Sequence, residues 1–458
     1  MSQRPNILII YPDQMRADAM SCAGNPVIRT PHIDRLALEG VRFTQAYTAF
    51  PLCCPFRASL FTGRYPHANG MRANHYPIPL NQDFLPQILR DHGYQTGYVG
   101  KWHLDGGIKH GFVPPGPRRL GFDWFVGFNR GHAYFGSIYY RDDGQPRTSR
   151  RYEPEYQTDH LIEFMAKASQ DPEGRPFFAE ICYGLPHPPL VAPDYYLQLY
   201  RPDEVPVRSN TPQDPEALAR ARRFLAGYYG LVACVDYQVG RILSWLDRQG
   251  LAENTLVLFV SDHGEMAGEH GRYGKKTYYE ASMRVPMIVR YPARFRGGRT
   301  IEALVDPSVD TMATLLELCG ISIPEQNQGV SYLSLLDETA KSTRDAIYYQ
   351  VCAEREGPER FPVAERGLRT REWLYVRTEA RPLALYHLPS DPLEVNNLVA
   401  DARYADVLEE LDGQLGQQMN ALEDDWGLEA HFPPPDFQTH AEGERYRQEL
   451  IRKAIVEP

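Results

Sequence analysis

Hydrophobic and polar positions along this chain fall into short apolar runs separated by longer stretches with helical spacing. The runs at 6–11, 96–99, 177–183, 256–260 and 285–289 are brief, rich in branched residues and bounded by turn formers, so they read as buried strands. Helical spacing covers 159–168 and 310–318, and it covers 215–251 as one long helix or a broken pair. Strands alternating with helices predict an α/β fold whose large, mostly parallel sheet lies between helices. Proline-rich stretches such as 111–118 predict surface excursions around that sheet. From about Ser342 the texture changes: 346–351 and 373–377 read as strands and 405–422 as a helix. The expected organisation is a large N-terminal domain over 1–342 and a smaller α+β subdomain over 343–458. Its tail, from His431 onward, is polar with a proline triplet and is expected to wrap the surface.

Composition narrows the function classes. Hydrophobic residues make up 43% and charged residues 24% of 458, which excludes wholesale disorder. A net charge of −10 argues against a nucleic-acid partner, since phosphate-tracking surfaces are basic. No run of about 18 apolar residues is present, so no membrane-spanning helix is expected. The opening apolar run is too short for a signal peptide, which predicts a cytoplasmic protein. Cysteines at 22, 53, 54, 182, 234, 319 and 352 are odd in number and scattered, as in a reducing compartment. Only the adjacent pair, Cys53-Cys54, asks for a separate explanation.

Chemistry collects where the strands end. The run at 6–11 leads into Asp13-Gln14, 96–99 into Lys101-Trp102-His103, 177–183 into His187, and 256–260 into Asp262-His263. In an open parallel sheet, ligands bind beyond the carboxyl ends of the strands. Asp13, Asp262 and His263, with the Gln14 amide oxygen, form a donor set for one divalent cation. Hard oxygens suit calcium or magnesium, and the imidazole shifts the balance toward manganese. Either aspartate alone would read as a helix cap; the set with its adjacent histidine favours the cation. A second segment runs from Cys53 to Arg64. Pro55 fits the first turn of a helix and Gly63 its end, placing Cys53 at a helix N-terminus that favours anions.

Cys53-Cys54-Pro55-Phe56-Arg57 followed by Thr62-Gly63-Arg64 resembles the signature of the type I sulfatases, in which the first cysteine is oxidised to formylglycine. Further blocks resemble that family in order: 5–10 with Asp13, Gly100-Lys101-Trp102-His103, Pro186-His187-Pro188, Ser261-Asp262-His263-Gly264, Gly274-Lys275 and 279–286. Leu385-Tyr386-His387-Leu388 with Asp391-Pro392-Leu393-Glu394 and Asn397-Leu398 resembles the family's terminal block. The resemblance implies an alkaline phosphatase-like fold and hydrolysis of the sulfate monoester of a small organosulfate, a sulfated sugar among the candidates. It implies that a formylglycine-generating enzyme converts Cys53 to an aldehyde whose hydrate attacks sulfur. It also implies one divalent cation, calcium ahead of manganese and magnesium, held by Asp13, Gln14, Asp262, His263 and the modified Cys53. Lys101 and Lys275 would hold the sulfate oxygens and Arg57 would orient the nucleophile. His103 would be the base that releases sulfate, and His187 the acid for the leaving alcohol.

Two positions depart from the family pattern. Phe56 stands where a small residue is usual, and Gln14 replaces a second aspartate. The Asp-Gln and Asp-His pairs resemble the branch that holds choline sulfatases and phosphonate monoester hydrolases. A phosphonate monoester or phosphodiester hydrolase is therefore the nearest rival reading, and a non-catalytic scaffold with the same fold is another. Lys101 and His103 stand where the phosphonate enzymes usually carry Tyr-x-Thr, which favours sulfate. Asn74 is a weaker candidate for substrate contact, equally suited to a turn, and Asp105 reads rather as a loop carboxylate. The aromatic stretch 122–140, with Trp124, Phe128, His132, Tyr134 and Phe135, is divided evenly between pocket wall and core. Glu280 and Arg284 read as structural.

Overall fold

The computed structural model describes residues 4–352, 363–426 and 439–457. The chain lays down β1 (Asn6–Asp13), β2 (Val41–Ala46), β3 (Gln95–Lys101), β4 (Trp124–Phe128), the short β5 (Ile138–Tyr139) and β6 (Arg147–Ser149), then β7 (Phe177–Pro186), β8 (Thr255–Val260), β9 (Met287–Arg290) and β10 (Arg299–Val305). All but β5 and β6 join one sheet in the order β10-β2-β9-β8-β1-β7-β3-β4, and only β9 runs antiparallel. Helices cover both faces: α1 (Pro31–Glu39), α2 (Cys53–Thr62), α3 (Glu153–Ala168), α4 (Pro215–Arg248) and α5 (Pro307–Leu318). Alternation along β1 shows why its run is continuously apolar. Ile7, Ile9 and Tyr11 pack with Cys54, Phe56 and Phe61 of α2, whereas Leu8 and Ile10 pack with Val235 and Leu243 of α4. The segment expected as one helix or two is a single helix, α4, capped by Asp214, which accepts the Ala217 N–H at 2.9 Å. Helix α3 begins six residues before the expected 159, because Pro154 fits its first turn.

A second sheet of β11 (Ala346–Val351), β12 (Glu365–Thr370), β13 (Trp373–Arg377) and β14 (Pro382–His387) is antiparallel throughout. Helix α6 (Ala405–Ala421) covers one face through Leu411 and Leu415. The other face presses Ile347, Leu374 and Tyr386 against Tyr47, Phe50 and Leu52. That contact buttresses the segment leading into α2. The proline triplet of the expected tail lies outside the described residues. The C-terminal residues after the triplet do more than wrap the surface: α7 (His440–Lys453) packs Leu450 against Ile138 and Tyr140, and β15 (Ile455–Glu457) pairs in parallel with β6.

Candidate active site

Strands β8, β1, β7 and β3 are parallel neighbours, so their carboxyl ends share one edge. Asp13 ends β1, Lys101 ends β3, His187 follows β7, and Asp262-His263 follow β8. Cys53 reaches the same edge as the first residue of α2, which is buried along its whole length. Gly63 ends this helix at φ 61°, a left-handed conformation open to glycine, with its N–H on the Ser59 carbonyl at 2.8 Å. Leu52 offers no cap at the other end. Asn74 supplies one, its Oδ1 accepting the Cys54 N–H at 2.9 Å while it also lines the cavity.

The ligand atoms of Asp13, Cys53, Asp262 and His263 all lie within 4.8 Å of one another, and all four residues are buried. Three features fit a cation. Asp262 Oδ2 is buried with no hydrogen-bond partner among the described residues. Burial, then the neighbouring Asp13 charge, pushes the Asp262 carboxyl up to about 6. His263 Nδ1 lies 3.0 Å from the Gly264 carbonyl, which can only accept, so the proton sits on Nδ1. The bare Nε2 then lies 3.3 Å from Cys53 Sγ and 3.4 Å from Asp262 Oδ2. Gln14 points its amide oxygen at Lys275 Nζ, 2.6 Å away, and donates to Glu265. The donor chemistry is oxygen-rich with one neutral imidazole, as calcium, magnesium or manganese accept.

Cations surround this group. Lys101 Nζ lies 2.7 Å from Asp13 Oδ2 and 3.2 Å from His132 Nε2, and Lys275 Nζ lies 3.5 Å from Cys53 Sγ. Arg57 is buried behind them, donating to Asp13 Oδ2 at 3.0 Å and to the Lys101 carbonyl at 2.7 Å. Burial and Asp13 raise the Cys53 thiol to about 11, against the lowering pull of Lys275 and Lys101. His187 donates Nδ1–H to the Pro188 carbonyl at 2.5 Å and stacks on His132 with ring centres 3.7 Å apart. Burial, followed by Lys275, holds it well below the ordinary histidine range.

A cavity of about 550 Å³ opens here, lined by Cys53, Asn74, Lys101, His103, His187 and Lys275 among the residues expected from sequence, whereas Asp13, Gln14, Arg57, Asp262 and His263 are not among its lining. Asp105 is not among its lining; its carboxylate pairs with Arg118 Nε at 2.5 Å. The aromatic stretch divides. Trp124–Phe128 is the strand β4, with Phe125 and Phe128 in the core, whereas His132 lines the cavity and Tyr134 bonds the Gly184 and His187 carbonyls. Glu280 and Arg284 form an ion pair at 2.9 Å beside Tyr47. His75, Lys109, His110, Arg130, Gly443 and Glu444 also line the cavity and were not singled out by sequence. They sit in irregular loops and on a distant helix, where no periodicity points at a sheet edge. His75 Nδ1 lies 3.1 Å from His103 Nε2, and His103 Nδ1 has no partner among the described residues.

The sulfatase family model matches residues 5–321, and the model named for the C-terminal part of N-sulphoglucosamine sulphohydrolase matches residues 268–421. The ulvan-active sulfatase of Formosa agariphila is 34% identical over 429 residues, covering 92% of this chain and 82% of that protein. BT4656, solved in complex with its substrate D-glucosamine-2-N,6-O-disulfate, superposes with a TM-score of 0.81 at 25% identity, covering 94% of this chain and 100% of that one. The phosphonate monoester hydrolase of Agrobacterium radiobacter shares the fold, with a TM-score of 0.76 at 24% identity over 95% of this chain and 100% of that one.

Proposed function

This chain belongs to the sulfatase family and hydrolyses sulfate esters, and from that premise we propose that its substrate is a small sulfated sugar cleaved with a formylglycine made from Cys53. One observation carries the nucleophile assignment. Cys53 Sγ lies within 4.8 Å of the ligand atoms of Asp13, Asp262 and His263 and 3.5 Å from Lys275 Nζ, and Pro55 and Arg57 follow it at the offsets of the modified signature. The sugar is supported by the size of the cavity, about 550 Å³, and by the substrate of BT4656.

Asp13, Gln14, Asp262 and His263, with the residue formed from Cys53, would hold one divalent cation, calcium by the oxygen-rich donor set. Such an ion supplies positive charge to a sulfate oxygen and acidifies a coordinated hydroxyl. A hydrated formylglycine offers two hydroxyls, one to attack sulfur and one to expel the sulfate. The chain's own groups do the rest. Lys101 and Lys275 grip the non-bridging sulfate oxygens from opposite partners, Asp13 and Gln14. Arg57 fixes Asp13 and the carbonyl of Lys101 together, so ligand and clamp keep one geometry. His187, with its proton on Nδ1, protonates at Nε2 once the anionic ester enters, and donates there to the leaving alcohol. His103 Nε2 shares a hydrogen bond with His75 Nδ1, and in the tautomer that places the proton on Nε2 its buried Nδ1 is bare to take the proton whose loss releases sulfate.

The test is a panel of matched aryl esters on one preparation whose aldehyde content at residue 53 is known by peptide mass. Sulfate should exceed phosphonate and phosphodiester by about tenfold or more in kcat/KM, a modest 1.4 kcal/mol for two charged contacts. A diester or phosphonate turned over faster than the sulfate would move the protein to the rival reaction class.

A further inference from the structure

Glu265 is fully buried two residues beyond His263, and the reaction as derived above gives it no part. Three donors converge on its carboxylate. Oε1 accepts the Ala267 N–H at 2.9 Å and the Gly274 N–H at 2.6 Å, and Oε2 accepts the side-chain amide of Gln14. The bond to Gly274 closes the loop 265–274, which the Met266 N–H tightens on the Gly274 carbonyl at 2.7 Å. The next residue is Lys275, whose Nζ donates to Gln14 Oε1 at 2.6 Å. Gln14 is therefore gripped at both ends of its amide, the NH2 by a carboxylate and the oxygen by an ammonium. Its backbone is held as firmly. A φ of 69° puts it in the left-handed region, where its N–H donates to Asp262 Oδ1 at 2.8 Å and its carbonyl accepts the Tyr228 O–H at 2.6 Å.

These bonds have a fixed polarity. An amide turned over about its last torsion exchanges a donor for an acceptor at nearly equal volume. Backbone N–H groups and an ammonium only donate, so the series from Gly274 through residue 265 and Gln14 to Lys275 is satisfied only when residue 265 accepts at both of its ends. We propose that Glu265 is a positioning residue, which keeps the Gln14 amide oxygen turned toward Lys275 and the cation group and, by clasping Gly274, delivers Lys275 to that oxygen. This rests on the reading of Gln14 as a cation ligand and of Lys275 as a sulfate clamp. A glutamine serves as an oxygen donor there because a carboxylate behind it takes the NH2 end.

Glu265→Gln isolates the effect. Its Oε1 can keep both backbone bonds, while the group facing Gln14 changes from acceptor to donor. Two NH2 groups then meet, and the Gln14 amide either loses that bond or turns its NH2 toward Lys275. Two readouts are taken on the full chain: calorimetric titration of calcium into the metal-free protein, and kcat/KM for an aryl sulfate per mole of aldehyde. Glu265→Gln should lose about tenfold or more in both. Adding Gln14→Glu supplies an acceptor for the new donor, so the double variant should recover about fivefold or more of that loss. Gln14→Glu alone sets carboxylate against carboxylate and should fall below the double variant in kcat/KM, a comparison that needs no folded Glu265→Gln protein. A loss in kcat/KM alone, recovered by the double variant, keeps Glu265 as the positioner of Lys275. Glu265→Gln at wild-type values in both readouts, or a double variant that fails to exceed both singles in kcat/KM, would overturn the inference. The cation reading fails by a different result, a wild type that binds neither calcium, magnesium nor manganese, and the kcat/KM series still decides the role of Glu265.

Discussion

Cys53 and Cys54 are adjacent in sequence but face different surroundings, because consecutive residues at a helix start diverge by about 100°. Cys53 Sγ lies 3.7 Å from Asp13 Oδ1 and 3.3 Å from His263 Nε2, whereas Cys54 Sγ donates to the His103 carbonyl at 2.9 Å. Cys53→Ala should abolish aryl sulfate turnover. Cys54→Ser keeps a donor for the His103 carbonyl and should retain most of it, measured per mole of aldehyde. An active Cys53→Ala protein, or an aldehyde found at position 54, would end this assignment. The same scale holds for His75, whose Nδ1 lies 3.1 Å from His103 Nε2 and which, as acceptor there, would act as a positioning residue that leaves His103 Nδ1 bare. His75→Phe removes that acceptor and should lower kcat by about tenfold or more with little change in KM, and His75→Asn should restore part of the loss. A loss confined to KM would instead make His75 a substrate contact.

At the scale of elements, strand ends do the positioning, and this much was legible in the sequence. Runs such as 6–11 and 256–260 are apolar on both faces because helices cover both, and their polar endings mark the shared edge. The signature helix was legible for local reasons as well, since Pro55 and Gly63 set its limits. Edge and inner strands with mixed patterns were not: β2 carries Arg42 and Thr44, β10 carries Arg299 and Glu302, and β4 has aromatics that suit a pocket wall equally well. Lys109, Arg130 and Glu444 meet only through tertiary packing, which no local pattern encodes. Strand β7 also holds an element-level liability. Glu180, at its centre, is buried with both carboxylate oxygens unpartnered among the described residues. Burial, offset in part by Arg57, raises its carboxyl to about 8 from 4.5. The folded state therefore binds this proton more tightly than the unfolded chain does, so the stability it contributes is full below pH 4.5 and is lost as pH rises through 8. Glu180→Gln should raise the thermal midpoint at pH 8, by an amount reflecting a few kcal/mol at most, with the gain vanishing toward pH 4.5. An equal gain at both pH values would mean that the carboxyl is ionised in the fold or that the effect is one of packing.

On the scale of the whole molecule, the cation site joins parts of the chain that are remote in sequence. Asp13 ends β1, Cys53 begins α2, and Asp262 and His263 follow β8, so one ion would tie the centre of the large sheet to the signature helix. That helix is in turn braced from the other side, because Leu52, the residue before it, packs against the small sheet. Without a cation, Asp13 and Asp262 face each other while buried, and burial, then the Asp13 charge, pushes the Asp262 carboxyl up to about 6. An ion that binds the folded chain and not the unfolded one stabilises it by mass action, about 2.7 kcal/mol at a concentration of one hundred times Kd. Chelation should therefore lower the thermal midpoint as well as the rate, and adding back calcium, manganese and magnesium in turn should rank them by the midpoint each restores. Asp262→Asn removes one negative donor, so its midpoint should depend much less on added cation, whatever its catalytic rate. The mutation also relieves the carboxylate pair, so its metal-free midpoint should equal or exceed that of the metal-free wild type, a combination that general damage to the fold would not produce. A midpoint indifferent to chelator and to all three cations would leave these four residues without an ion, and the family's metal chemistry without a place in this chain.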